Sequence, residues 1–182
     1  MVVKTRISAA EFGRTAARRG PCELIRGEVV ALSPGSFSHS AISANVAILL
    51  GTWARKKRSG RVLTNEAGIV TERKPDTVRG ADVAYFSFKR LPRSETPAGF
   101  AITAPELVVE IVGKGQGWRQ MVEKAAEYLR MGVGCVWVLD PKTKRLHVFR
   151  PDDEPQILEA AATASDAKLL PGFRCRVRDF FA

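Results

Sequence analysis

The sequence predicts an α/β protein built on one central mixed β-sheet flanked by helices. Segments whose apolar residues recur every three or four positions alternate along the chain with segments of period two or short continuous apolar runs. A length of 182 residues suits one substantial core and is short for two. The expected organisation is therefore a single domain over residues 1–182, with a helical segment at 1–20.

Each element has a local signal. Ser8 to Arg19 reads as a short helix: Ser8 followed three residues later by Glu11 is a capping-box pattern, and Gly20-Pro21 stops it. CELIRGEVVALSP holds two strand-like stretches around Arg26-Gly27, hence a hairpin, closed by Pro34-Gly35-Ser36. A longer helix is expected from Ser38 to Lys57, where Ile42, Val46, Leu49, Leu50 and Trp53 form one apolar stripe. Arg55-Lys56-Lys57-Arg58 suits its C-terminal dipole, and Gly60 ends it. Three strands follow, RVLTNEAGIVTE, ADVAYFSF and ELVVEIV, separated by the loop KPDTVRG and by a Pro-rich loop from Leu91 to Pro105. Trp118 to Arg130 is the next helix, with Met121, Ala125, Tyr128 and Leu129 on one face and Gly132 after it. CVWVLD and RLHVFR form a second hairpin through Pro141 to Lys144, and LLPGFRCRVRDFF adds a short strand with an apolar end. LEAAATASDA is bland, and no repeat is present.

Composition narrows the class. Apolar residues make up 45% and charged residues 26%, an ordinary soluble balance. No apolar run approaches the ~20 residues of a membrane span, and MVVKTRISAAEFGR breaks its apolar residues with charges before a signal-peptide core forms. The expectation is a cytoplasmic protein with no membrane partner. Cys22, Cys135 and Cys175 are odd in number and scattered, which offers neither a disulfide framework nor a CxxC metal site. Two histidines exclude a His-rich zinc site. Lys and Arg number 29 against 19 Asp and Glu, a net +10, which favours polyanionic partners without identifying one.

Chemistry enters where acids interrupt apolar strands. Asp82 lies in GADVAYF and Glu110 in ELVVEIV. Burying a carboxylate costs free energy unless something pairs with it, and two on neighbouring strands repel unless a cation lies between them. Mg²⁺ takes one or two carboxylates together with water and phosphate oxygens, so the pair outlines a nuclease site. A turn-forming role for Asp82, or an arginine partner for Glu110, would explain either acid singly. Lys124 and Tyr128 are four apart and share a helix face. Lys124 would reach the end of the Glu110 strand, or else stand exposed beside Glu123 or Glu127. Glu23 and Glu28 flank Leu24 to Gly27 and by period two do not share a face; one of them could complete a metal site. His39 sits at a helix start, facing solvent or a backbone group, and His147 reads as structural. Trp53, Trp118 and Trp137 read as core or helix-face residues, not base-stackers.

Three stretches together resemble one family. CELIRGEVVALSPGSFSHSAI resembles the "ELxxGExxxMSPxxxxHSxI" opening of the Uma-two family, a domain of unknown function. PELVVEIVGKGQGWRQMVEKAAEYLRMGVGCVWVLDP resembles its "PxLVVEVLSPS", the lysine and tyrosine four apart, and "GVxEYWxVDP". LLPGFRCRVRDFF resembles its "LPGFxLxVxxLF" ending, so the likeness spans roughly residues 21 to 182. That family is placed in the PD-(D/E)xK superfamily, which implies a restriction-endonuclease-like core and Mg²⁺-dependent DNA cleavage. The resemblance puts Asp82 at the PD aspartate and Glu110 at the second acid, as metal ligands for Mg²⁺ or Mn²⁺. Lys124 falls at the helix lysine that stands in for the strand lysine, and Glu28 at an early family glutamate. His39 and Tyr128 match family positions without an assigned role. Ala81 replaces the usual proline, Val112 stands where the superfamily has lysine, and Gly113-Lys114-Gly115 replaces the SPS turn, so Lys114 is an alternative source of positive charge.

The expected function is hydrolysis of phosphodiester bonds in nucleic acid, DNA before RNA, by Asp82, Glu110, Lys124 and Glu28, with Arg55 to Arg58 on backbone phosphates or merely solvated. A nucleic-acid-binding or regulatory module without turnover is the rival. A third expectation is a partner-binding or homodimeric protein that docks through Phe180 and Phe181.

Overall fold

A computed structural model describes residues 6–16 and 18–182 of the chain. The first helix, α1 (Ala9–Ala16), opens on the expected capping box: the Ser8 amide donates to Glu11 Oε2 at 2.7 Å and the Glu11 amide to Ser8 Oγ at 3.2 Å. Met1 to Thr5 and Ala17, which belong to the expected helical segment, lie outside the described residues. Strands β1 (Cys22–Ile25) and β2 (Glu28–Ala31) form the first hairpin. Its two turn residues, Arg26 (φ 50°) and Gly27 (φ 82°), are both left-handed, the geometry that matches strand twist in a two-residue turn. Helix α2 (Phe37–Lys57) begins one residue before the expected Ser38, because Ser36 Oγ caps it by accepting from the His39 amide.

The long hairpin of β3 (Gly60–Glu72) and β4 (Thr77–Ser87) follows. Here the expected loop KPDTVRG is corrected: Thr77 to Gly80 is strand. The segment is polar, yet Thr77 and Val78 are buried and the Arg79 charge is matched by Glu23 and Glu127. β5 (Leu107–Ile111) pairs antiparallel with β4 and parallel with β6 (Cys135–Asp140), and α3 (Trp118–Met131) makes the crossover between β5 and β6. β7 (Arg145–Phe149) and the short β8 (Gln156–Leu158) extend the sheet to the order β2-β1-β4-β5-β6-β7-β8, with β3 on β4.

β9 (Thr163–Asp166) and β10 (Leu170–Arg176) form a separate pair, followed by a 3₁₀ turn at Val177–Phe181. Neither β8 nor β9 announces itself by periodicity; Asp166 in β9 is tied to Arg150 at 3.2 Å. The docking role expected of the C-terminal phenylalanines is also corrected. Phe180 is fully buried with its ring 5.9 Å from that of Trp137, and Phe181 packs on the same core. Phe180, inside the densely packed interior, stabilises the fold and is not presented to a partner, while Phe181 is half-buried against the same core.

The core has two layers. α2 covers one sheet face, where Val46, Leu50 and Trp53 meet Val83, Tyr85, Val109 and Trp137. α3 covers the other, where Met121, Ala125 and Tyr128 meet Ala84, Val108, Val136 and Val138. Among the described residues no helix is long and apolar enough to cross a membrane.

One feature of the topology creates the site. β3 occupies one edge of β4 along its length, so β1 and β5 share the other. β1 touches that edge at Val78 (opposite Leu24), and β5 joins it from Val83 to Tyr85. From Arg79 to Asp82 the edge has no strand partner among the described residues. Buried backbone groups in that gap need side-chain partners.

Candidate active site

Polar side chains fill the gap. Glu23 arrives from β1: Oε1 accepts the Gly80 amide at 3.0 Å, and Oε2 accepts Arg79 at 2.9 Å. Asp82, on β4, accepts the Ile111 amide of β5 at 2.7 Å through Oδ2. Lys124 rises from α3, its Nζ 2.9 Å from Glu110 Oε2, 3.1 Å from Glu23 Oε1 and 3.2 Å from the Gly80 carbonyl oxygen. Three acceptors match the three N–H bonds of an ammonium. Tyr128, one turn further along α3, donates to Glu110 Oε1 at 2.9 Å. The start of α2 brings His39, whose Nε2 lies 3.2 Å from Asp82 Oδ2.

The structure thus gathers Asp82, Glu110, Lys124, Tyr128 and His39, all singled out in the sequence, at one fork in the sheet. Glu23, Asp82 and Glu110 are 4%, 7% and 4% exposed, so their charges are poorly hydrated. Lys124 does not pair with Glu123 or Glu127, since Glu123 holds Arg119 and Glu127 holds Arg79. His39 faces Asp82, not solvent. Lys114 is exposed in the turn after β5.

Glu28 needs a correction. It pairs with Ile25 next to the turn, while Glu23 pairs with Val30. Opposed residues share a face, so Glu23 and Glu28 lie on the same one, against the expectation from period two. Counting alternation straight through the turn fails, because a two-residue loop makes even-numbered residues face odd-numbered ones. Of the two, Glu23 reaches Lys124.

Two further acids surround the cluster. Opposite Asp82, β3 carries a bulge between Thr64 and Ala67 whose residues Asn65 (φ 64°) and Glu66 (φ 56°) are both left-handed. A Cβ at Gly80 would collide with the Glu66 carboxylate, so glycine there leaves that side chain its place. Glu127, from α3, bonds Thr71 and takes Arg79 Nη2 at 2.7 Å. The polar Thr64-Asn65-Glu66 inside an otherwise apolar strand was the signal for the bulge, and Arg79 beside Gly80 the signal for a paired interior cation.

Burial is the main force on these groups. It pushes the Glu110 carboxyl up to about 8; Lys124 opposes this, while Asp82 and Glu23 add to it. Burial also raises Glu66, reinforced by the Asp82 charge. It works to raise Glu23 too, but Lys124 and Arg79 outweigh it and hold that acid below its usual value. Burial tends to deprotonate Lys124, yet Glu110 and Glu23 prevail and keep it charged. The hydrogen bond to Asp82 raises His39 against the pull of burial. Burial raises Tyr128, helped by Glu110 and Glu23, which keeps its hydroxyl a donor.

Five carboxyls, the buried Glu23, Asp82, Glu110 and Glu127 and the more exposed Glu66, thus face Lys124, Arg79 and His39, a surplus of acidic over basic groups. Hard oxygen donors, with more carboxyls than cationic side chains to pair them, fit a small divalent cation such as Mg²⁺ or Mn²⁺. Among the described residues no three His, Cys, Asp or Glu side chains already stand together as a metal-binding group. Such an ion would therefore have few protein ligands, the remaining positions going to water and substrate.

Comparisons with known proteins agree with the architecture. Residues 9–178 match the Uma2 family, described as "Putative restriction endonuclease". A solved structure from Anabaena variabilis ATCC 29413, described as "a putative nuclease belonging to DUF820", superposes with a TM-score of 0.79 at 22% identity, covering 96% of this chain and 97% of that one. No curated protein matches. With the family matched over nearly the whole chain, and its mixed sheet and flanking helices shared with that nuclease, this protein belongs to the Uma2 family of restriction-endonuclease-like fold.

Proposed function

We propose that the chain is an endonuclease that hydrolyses phosphodiester bonds in DNA, using Mg²⁺ or Mn²⁺ held by Asp82 and Glu110. The observation that supports it best is the pair of buried acids on adjacent strands, with Glu110 driven up to about 8 chiefly by burial and further by the Asp82 charge. The family's description as a restriction endonuclease supports DNA as the substrate. When bound, a divalent cation supplies a Lewis acid for a phosphoryl oxygen and lowers the pKa of its water.

The chain's own groups have distinct tasks. Lys124, kept protonated by Glu110 and Glu23, is no proton acceptor; it offers a fixed positive charge to the negative charge developing on phosphorus-bound oxygen. Tyr128 orients Glu110 by donating to Oε1. His39 and the Ile111 amide fix Asp82 in the same way. Glu66, raised above the usual carboxylate range, is suited to accept a proton from an attacking water. Glu23 positions Lys124, a task on the hairpin face it shares with Glu28.

A second reading, a nucleic-acid-binding module without turnover, is favoured by the full hydrogen-bond complement of Lys124 between Glu23 and Glu110. Incubation with plasmid and single-stranded DNA in Mg²⁺, Mn²⁺ or EDTA separates the two. The nuclease reading requires cleavage that EDTA abolishes and that Asp82→Ala and Glu110→Ala both lose. Cleavage surviving in those variants puts the site elsewhere. No cleavage by the wild type, with DNA retained on the protein, establishes the binding module.

A further inference from the structure

α2 leaves the site and β3 returns to it. His39, at the start of α2, touches Asp82, and Glu66, midway along β3, lies over Gly80. At the far end, Arg55 closes α2 and Arg61 opens β3. Between the two elements runs a groove of about 750 Å³, floored by small residues such as Gly51 and Thr52 and reaching Thr64, two residues short of Glu66.

Its charge is one-sided. Arg55, Arg61 and Arg93 line it, and among the described residues no acidic side chain does. Two of these guanidiniums are held in place. Arg93 stacks on the Phe88 ring at 4.7 Å, and Arg61 approaches the same ring at 5.7 Å while donating to the Pro92 and Arg93 carbonyls. Arg55 is exposed in the last turn of the helix, and its side chain makes no hydrogen bond or ion pair among the described residues. A guanidinium fixed by an aromatic face and by backbone carbonyls still presents free N–H groups in a planar fork, the geometry that suits phosphate.

We propose that this groove binds the sugar–phosphate backbone of the nucleic acid and leads it to the carboxylate cluster. The inference rests on the nuclease reading and adds the route by which substrate lies on the protein. From Gly60 to Thr64 the strand spans about 13 Å, which at the ~3.4 Å axial spacing of one DNA strand covers about four phosphates. Three arginines along that length give a sequence-independent contact with the backbone, while the surplus acid at the groove's end keeps the backbone away except where a cation intervenes.

The test measures DNA affinity in EDTA, by fluorescence anisotropy of a labelled duplex and a labelled single strand over a salt series. Arg55→Glu/Arg93→Glu is compared with a charge-matched control, Arg14→Glu/Arg18→Glu, on and just beyond α1. Because Arg93 touches Phe88, Arg55→Glu is also measured alone, and thermal unfolding of each variant checks folding. The expected result is a loss of about tenfold or more for the groove double, with the slope of log affinity against log salt shallower by about 2, and a smaller loss for the control. Equal losses in both doubles mean that net charge attracts DNA without a groove, and overturn the proposal. An unchanged affinity in a folded groove variant also overturns it, as does a wild type that binds no DNA. Cleavage that continues at the wild-type KM in the groove double would sink the groove and leave the nuclease reading standing. Loss of binding in that double, from a wild type that binds but never cleaves, would do the reverse.

Discussion

Glu110→Gln in metal-free protein tests the electrostatics of the site directly. Glu110 is 4% exposed and its carboxyl is pushed from an ordinary 4.5 to about 8, chiefly by burial. Between those values the folded protein retains a proton that the unfolded chain has already released. The group's contribution to stability is therefore complete below pH 4.5 and is lost as pH rises through about 8. At full ionisation the interval from 4.5 to about 8 corresponds to about 5 kcal/mol, and relaxation around the charge lowers the observable to about 2–5 kcal/mol. Glutamine mimics the protonated acid: it is neutral, similar in size, and keeps an oxygen for Tyr128 or Lys124, while Glu23 still neutralises the lysine. Urea unfolding in EDTA at pH 5, 7 and 9 should find the two proteins within about 1 kcal/mol at pH 5. At pH 9 the glutamine variant should be the more stable by about 2–5 kcal/mol. A difference that stays constant from pH 5 to 9, or a wild type that gains on the variant as pH rises, would refute the argument that Glu110 is ionised against its surroundings.

Other consequences are as direct. Glu23→Gln removes a partner from both Arg79 and Lys124 and leaves two buried cations short of charge; a loss of about 3–5 kcal/mol in chemical unfolding is expected, and cleavage should fall with it. Phe180→Ala opens a cavity beside Trp137 and should cost about 3–5 kcal/mol, roughly a 10 °C drop in Tm by calorimetry, with the sedimentation of the protein unchanged. His39 is raised by its bond to Asp82, so it stabilises the fold most at acid pH and progressively less as pH rises through its folded-state value. An NMR titration of His39 should place its midpoint above that of His147, which burial lowers, and Asp82→Asn should move His39 downward.

Much of the architecture was legible because it rests on local signals. The stripe of Ile42, Val46, Leu50 and Trp53 is buried as its spacing requires, and the Ser8–Glu11 box caps α1. Carboxyls inside VVEIV and GADVAYF marked Glu110 and Asp82, because acids in apolar strands are expensive to leave without partners. Segments whose stability comes from distant partners were not legible. Thr77 to Gly80 looks like a loop until Glu23 and Glu127 neutralise Arg79; β9 depends on Arg150; and the faces of Glu23 and Glu28 depend on the two residues of the turn between them.

By itself, then, the sequence determined which residues form the helices and the main strands, that the interior carries two acids, and that the surface is basic. Periodicity and composition act over a few neighbours, and these properties need nothing more. The tertiary structure decided that β1 and β5 leave Arg79 to Asp82 of β4 without a strand partner among the described residues, that Glu23 reaches into this opening, that Lys124 joins it to Glu110, and that a bulge places Glu66 over Gly80. Those outcomes depend on strand order and register, which are set by long-range packing: a shift of one residue in its strand's register would turn Glu23 or Glu110 to the opposite face of the sheet.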